Sequence, residues 1–209
     1  MREAHLKQTI SSLNRPANVA AIVLAAGPSK RMGRPKQLLE FRGEALLKRA
    51  ASSAVEAGCH PVVVVTGAHA EGSRRVLGEL DVIEAKNEQW KLGISSSVRV
   101  GVEAVIAAAP GVDGIVLMLC DQPFVTREII AGLIKARRKT SRAIIASSYA
   151  ENYGVPALFS REHFIELIAL KGDVGAKHLI QEHLEKVYLV PFPEGKIDID
   201  TPEDLEPFN

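Results

Sequence analysis

The sequence has almost no excess charge of either sign: 26 basic and 25 acidic side chains leave a formal net charge of +1 at pH 7. No nucleic-acid partner held by a general basic field is therefore expected, and any bound anion must be met by a local cluster of cations. Cysteine is scarce. Cys59 and Cys120 are too few for a disulfide framework, so a reduced, cytoplasmic location is the expectation. No apolar run is long enough to span a bilayer, and no membrane partner is expected. The longest run near the start, Val19 to Ala26, falls far short of the roughly 20 residues a spanning helix needs. The segment before it, with Asn14, Arg15 and Pro16, lacks the layout of a secretory signal. Repeats and low-complexity tracts are also missing. The composition, 46% hydrophobic and 24% charged, is that of a globular protein.

What is present is a rhythm of strand and helix. Val19 to Ala26 is apolar at every position, as in a strand buried on both faces. Glu44 to Ala57 carries Leu46, Leu47, Ala50, Ala54 and Ala57 at helical spacing, with Gly58 placed to stop the helix. A strand at Pro61 to Thr66, a short helix at Ala70 to Leu77 and a strand at Asp81 to Ala85 follow. Ser95, Ser96 or Ser97 is positioned to cap a helix running to about Ala109. Gly114 to Cys120 is a third strongly apolar strand, and Thr126 begins another helix. Beyond residue 140, strands are expected at Ala143 to Ser147 and Pro156 to Phe159, with Gly154-Val155-Pro156 as the turn between them. Ser160 then caps a helix to about Ala169, a helix spans Gly175 to His183, and a strand spans Lys186 to Val190. Such alternation predicts a Rossmann-like three-layer α/β fold, an open and mainly parallel sheet with helices on both faces. Residues 1–18 read as a polar lead-in and residues 19–209 as a single domain.

Ligands of an open parallel sheet bind beyond the carboxyl ends of its strands. The first strand runs into LAAGPSKRMGRPKQLL, Leu24 to Leu39. Gly27 and Gly33 permit a tight turn and a close approach to a ligand. Successive loop amides can cradle phosphate oxygens, with Arg31 and Lys36 adding positive charge. This is not a Walker A loop, because Arg34 and Pro35 follow Gly33. Nor is it the dinucleotide fingerprint, since Pro28 and Ser29 follow Gly27. Asp121, in Leu119-Cys120-Asp121-Gln122-Pro123, is placed to hold Mg²⁺ with substrate phosphates, the bland alternative being a turn or cap. Asp198 and Asp200 alternate onto one face of an extended segment, before a helix that Thr201 caps and Pro202 opens. Asn87 to Ser97 holds the one tryptophan, Trp90, and serines that offer hydroxyls together with helix amides. The six histidines are scattered; His178 and His183, five apart, are off-register and read as surface residues. Cys120 reads as core packing, and Lys135 to Lys139 as the solvated end of a helix.

The pattern LAAG-x-S-x-RMG-x-PK resembles the signature loop of the MobA-like nucleotidyltransferase family, and more closely its molybdenum cofactor cytidylyltransferase branch. The matching residues are Leu24, Ala25, Ala26, Gly27, Ser29, Arg31, Met32, Gly33, Pro35 and Lys36. The guanylyltransferase branch has glycine where Ala26 stands and aspartate where Pro35 stands. LCDQP and DIDTPEDL resemble the two metal motifs of the family, which implies Asp121 and Asp200 as ligands of Mg²⁺, with Mn²⁺ as a substitute. The resemblance implies Arg31, Lys36 and Asp121 as catalytic groups. On the nucleotide side it adds the residues Leu24 to Gly27, Ser29, Gly67, Asn87, Gly93, Ser95, Ser96 and Ser97. On the acceptor side it implies Gln122, Gly154, Pro156, Gly172, Asp173 and Gly175. The implied substrates are CTP and a molybdopterin-type cofactor, with a molybdenum-containing oxidoreductase as a candidate recipient of the product. Two alternatives stand beside this one: a non-catalytic chaperone for the cofactor, and transfer to another phosphorylated acceptor. The methylerythritol phosphate cytidylyltransferases share Pro35-Lys36-Gln37, but their His-Asp-Ala-Ala-Arg-Pro stretch is LCDQPF here and their threonine-arginine-proline terminal motif is DTPED. The resemblance covers nearly all of Val19 to Leu205.

Overall fold

A computed structural model of the chain describes residues 18–29, 35–199 and 204. The polar lead-in up to residue 17 and Arg31, Met32, Gly33, Asp200, Thr201 and Pro202 lie outside the described residues.

Strand β1 (Val19–Ala25) is buried at all seven positions. Its residues alternate between two cores, Ala20, Ile22 and Leu24 in one and Ala21, Val23 and Ala25 in the other. That is why the run is apolar at every residue rather than every second one. A small ladder of β2 (Glu40–Phe41) and β3 (Glu44–Ala45) follows, turned through Arg42 and Gly43, both at positive φ. Because Glu44 and Ala45 pair with Phe41 and Glu40, helix α1 (Leu46–Glu56) starts two residues later than its periodicity predicts. Gly58, at φ +80°, lets the chain leave it. Next come β4 (Val62–Thr66), α2 (Ala70–Leu77), β5 (Ile83–Lys86), α3 (Ile94–Ala108), β6 (Gly114–Leu119) and α4 (Arg127–Thr140). The serines do not cap α3. Gly93 holds that position at φ +100°, and Ser95, Ser96 and Ser97 are buried in the first turn.

Strands β7 (Ile144–Tyr149) and β8 (Asn152–Ser160) form a hairpin that turns at Ala150 and Glu151. Gly154, Val155 and Pro156, expected as the turn, lie inside β8 instead. The register jumps there from Ala146 opposite Ala157 to Ser147 opposite Gly154. Val155 and Pro156 therefore drop out of the ladder, where a residue with no backbone N–H costs nothing. The Ser147 hydroxyl donates to the Pro156 carbonyl at 2.7 Å across the bulge. Helices α5 (Phe164–Ala169) and α6 (Ala176–Glu182) and strand β9 (Val187–Pro191) complete the fold.

The main sheet has seven strands in the order β5-β4-β1-β6-β8-β7-β9. Only β8 runs against the rest. Helices α1, α2 and α4 pack on one face through Leu47, Ala50, Leu77, Ile130 and Leu133. Helices α3, α5 and α6 cover the other through Val98, Val102, Phe164, Leu167 and Leu179. The result is the three-layer, mainly parallel α/β architecture expected from the sequence. No helix among the described residues is long and apolar enough to cross a membrane.

Candidate active site

After β1 the chain crosses to β4 on one side, whereas β6 lies on the other. That is a topological switch point, and ligands of open α/β sheets bind in the crevice outside the carboxyl ends there. Two cavities open at this place. A smaller one of about 290 Å³ is lined by Ala26, Gly27, Lys36, Trp90, Ser97 and Asp121, among others. A larger one of about 480 Å³ is lined by Gln122, Tyr149, Asn152, Gly154, Lys177 and Asp198, among others. Leu24, Ile94 and Leu119 border both, so the cavities adjoin along the ends of β1 and β6.

Lys36 and Asp121 meet in this crevice, with Nζ donating to Oδ2. Asp121 is buried, and its second oxygen, Oδ1, has no hydrogen-bond partner among the described residues. Gln37 Nε2 and Gln122 Oε1 are buried and unpartnered as well. Such an atom costs about 1–3 kcal/mol when left unsatisfied, and these three all belong to residues lining the two cavities. They mark polar capacity that a ligand would fill. For a divalent cation the fit is direct. Asp121 Oδ1 is a hard oxygen donor, and Mg²⁺ commonly takes one or two carboxylates and completes its shell with phosphates and water.

Local structure explains how these groups are held. Ser29, at φ 50°, accepts from the Lys36 backbone N–H at 2.9 Å and donates to Gln37 Oε1 at 3.2 Å. One hydroxyl thus ties the exit of β1 to the turn carrying Lys36. The Ile199 backbone N–H donates to the Asp121 carbonyl at 2.9 Å, which brings the C-terminal segment to the end of β6. Burial pushes the Cys120 thiol up to about 12, and the neighbouring Asp121 charge adds to the effect. Both effects favour the thiol over the thiolate at neutral pH. The Tyr149 phenol is also raised, by burial first and then by the Asp198 carboxylate.

Arg31 lies outside the described residues, and the other predicted nucleotide-side residues fall into two groups. Leu24, Ala25, Ala26, Gly27, Lys36, Gly93, Ser97 and Asp121 line the smaller cavity. Gly27 has no left-handed φ, and a Cβ built on it meets no atom within 4 Å among the described residues beyond its chain neighbours, so those residues do not demand glycine there. The others form scaffold. Gly67 makes room for the end of β1, since a Cβ there would sit 2.5 Å from the Ala26 carbonyl oxygen. Asn87 donates to the Ser96 and Ser97 hydroxyls at 2.8 and 3.0 Å and accepts from the Gln89 N–H at 2.9 Å. Ser96 donates to the Gly93 carbonyl at 2.7 Å, and the Ser95 N–H donates to Gly172 at 3.2 Å. On the acceptor side, Gln122, Gly154 and Gly175 line the larger cavity. Asp173 lines the smaller one instead, and Pro156 and Gly172 line neither.

Sequence reasoning passed over Gln37 in the smaller cavity and Tyr149, Asn152, Lys177 and Lys196 in the larger. Gln37 follows Lys36 directly and was findable; the others depend on a hairpin tip, a helix start and a short turn after β9 (Pro193–Lys196) that no local pattern reports. The histidines also need correction. His163 is buried, and it gathers with Glu166 and His183.

A crevice of this kind, at the switch point of a mainly parallel sheet and furnished with a lysine and a buried carboxylate, suits a nucleotide and its phosphates, and the family match makes the protein a nucleotidyltransferase. Residues 21–187 match the model of the MobA-like NTP transferase domain, and the chain belongs to that family. It is 30% identical over 201 residues to nicotine blue oxidoreductase of Paenarthrobacter nicotinovorans, covering 90% of this chain and 94% of that one. It is 35% identical over 127 residues to a probable molybdenum cofactor guanylyltransferase of Opitutus terrae, covering 61% and 59% of the two chains. Among solved structures, Rv0371c of Mycobacterium tuberculosis H37Rv superposes with a TM-score of 0.77 at 30% identity, over 93% of this chain and 98% of that one. The same protein has been solved in complex with manganese, with a TM-score of 0.73.

Proposed function

We propose that this nucleotidyltransferase transfers CMP from CTP to the terminal phosphate of a molybdopterin-type cofactor, releasing pyrophosphate. The observation that carries the proposal is the adjoining pair of cavities, with Asp121 lining the smaller and its neighbour Gln122 the larger. The nucleotide occupies the smaller cavity and the acceptor the larger, where Lys177 and Lys196 suit an anion. A phosphate oxygen of the acceptor attacks the α-phosphorus, the bond to the β-phosphate oxygen breaks, and pyrophosphate leaves. The nucleophile is already an anion, so alignment replaces a general base. Lys36, and Arg31 by resemblance, offset charge gathering on the leaving group. A Mg²⁺ or Mn²⁺ ion held by Asp121, and by Asp200 through the resemblance, would draw charge from the phosphates. Support for a divalent ion comes from the unpartnered Asp121 Oδ1 and from the manganese complex of Rv0371c. The preference for CTP rests on Ala26 and Pro35 in the loop. The proposed location is the cytoplasm, in keeping with two buried free thiols.

Pyrophosphate release across the four nucleoside triphosphates, with the molybdenum-pterin cofactor and other phosphorylated acceptors, tests the proposal. CTP with the pterin should give the highest kcat/KM. Equal rates with GTP would remove the cytidylyl assignment, and no release with any acceptor would favour a carrier. The relative named nicotine blue oxidoreductase supports a second possibility, an oxidoreductase reaction in the same crevice. Metal-dependent pyrophosphate release separates the two, because oxidoreduction makes none.

A further inference from the structure

Away from the crevice, three metal-ligating side chains converge. His163 ends a short turn after β8, Glu166 lies in the first turn of α5, and His183 follows the last residue of α6. His163 Nδ1 is 2.8 Å from one Glu166 oxygen, and His183 Nε2 is 2.7 Å from the other. The two rings stand 4.9 Å apart, centre to centre. One ligand atom from each residue lies within 4.8 Å of the other two. The cluster sits toward the opposite end of the strands from Asp121, since Ser160 pairs with Gly114 at the start of β6 and the Arg161 N–H bonds to the Asp113 carbonyl.

We propose that His163, Glu166 and His183 bind one zinc-type transition-metal ion. Two imidazoles and a carboxylate form the donor set of three-ligand zinc sites, whereas Mg²⁺ and Ca²⁺ favour oxygen throughout. Ligand atoms at about 2.0–2.2 Å from one ion lie somewhat over 3 Å from each other. Around one ion the two short contacts would open by roughly half an ångström and any separation approaching 4.8 Å would close, an adjustment that Glu166, 42% exposed, has room to make. Solvent reaches the site past Glu166 and His183, leaving room for a water to complete the shell. The other nitrogen of His163 has the exposed Glu162 carboxylate 3.8 Å away, beyond hydrogen-bond distance, so it supplies negative charge nearby but does not fix the ring. Burial acts most strongly on the Glu166 carboxyl and raises it, but hydrogen bonds from His183 and His163 together hold it below its usual range. The carboxylate is thus charged at neutral pH.

The ion would join α5 to the carboxyl end of α6. The opposite end of α6 supplies Ala176 and Lys177 to the larger cavity, so the ion fixes one wall of that cavity from about one helix length away. The site stands on its own residues and does not depend on which nucleotide or acceptor the crevice takes.

The test is a Co²⁺ titration of the full chain after treatment with a chelator. One equivalent should give the visible absorption of a four- or five-coordinate site, Zn²⁺ should displace it, and Zn²⁺ should raise Tm by several degrees. Glu166→Gln and His183→Gln should each abolish the bands and the Tm shift, while Asp121→Asn keeps both. Glu166 is at the surface, so its variant should fold, which circular dichroism verifies. Absence of the bands in the wild type would overturn the proposal and leave a hydrogen-bonded histidine–glutamate cluster. Bands that survive both variants but vanish in Asp121→Asn would overturn it too, assigning the ion to the crevice.

Discussion

Replacing Lys36 by methionine keeps the length of the side chain and deletes its charge. Asp121 would then hold a carboxylate that is only 10% exposed, with its cation gone. Removing one partner from a fully buried pair costs about 3–5 kcal/mol, whereas an exposed pair contributes about 0–1 kcal/mol. Here the lysine is 24% and the aspartate 10% exposed, so the pair lies between these limits. The expected loss is about 1–3 kcal/mol, or a fall in Tm of roughly 3–10 °C for a domain of this size. Asp121→Asn should cost less than about 1 kcal/mol, because the lysine it leaves behind can reach water. The double variant should regain most of what Lys36→Met lost, since no buried charge remains. Each single variant should also lower kcat by about 10²-fold or more, the scale for losing one electrostatic group in a reaction that moves charge. Urea denaturation without nucleotide reads the first set of numbers, and pyrophosphate release reads the second. A Lys36→Met protein as stable and as active as the parent would refute both halves of the argument. Equal destabilisation by Lys36→Met and Asp121→Asn would show that the pair does not behave as a buried carboxylate with a wetter cation.

Gly93→Ala should lose at least about 2 kcal/mol by denaturant unfolding, because a Cβ at φ +100° is strained and would run into the Gly172 backbone; a loss under half of that would show that the Gly172 segment moves aside easily. Lys177→Ala should raise KM for the acceptor about tenfold while leaving KM for the nucleotide unchanged, as the loss of one charged contact on the acceptor side alone predicts; parallel rises in both would detach Lys177 from the acceptor. Cys59 and Cys120 are both pushed up to about 12, leaving a thiolate fraction of about 10⁻⁴ at pH 8. Iodoacetamide should therefore label neither in the folded protein and both in urea, and rapid native labelling of Cys120 would contradict its burial.

The fold was legible wherever burial was symmetric. Strands β1, β4 and β6 are sandwiched between helix layers, and their unbroken apolar runs announce it. Helix α2 matched its predicted bounds, Ala70 to Leu77. The acceptor half was harder. Gly154-Val155-Pro156 has the composition of a turn, yet the chain reverses at Ala150 and Glu151 and uses the proline at a bulge. The antiparallel course of β8 left no trace in periodicity, because a hairpin strand inside a mixed sheet is as apolar as its parallel neighbours. On the site, Lys36 and Asp121 could be named because each stands at the end of a recognisable strand or loop. Their pairing could not, since 85 residues separate them. Serines before a helix suggested capping, whereas Gly93 holds the cap and the hydroxyls are spent on Asn87 and on backbone carbonyls. His163 and Glu166 are three apart on one face, but His183 arrives from a different helix, so their convergence belongs to tertiary structure.

The reversed strand β8 divides the crevice into halves of different adaptability. The smaller cavity is walled by segments leaving β1 and β6, by Trp90 and the start of α3, and by Asp173; the first two must each hand the chain on to a crossover in the same sheet, which constrains them. The larger cavity takes Tyr149, Ala150 and Asn152 from the tip of the β7–β8 hairpin. A hairpin tip can be lengthened, shortened or exchanged without shifting the strands that carry it. In an engineering setting, new acceptors should therefore be sought by grafting loops between residues 149 and 152, with the nucleotide half left untouched. Chains of one architecture can in this way diverge in what they modify while sharing the half that holds the donor.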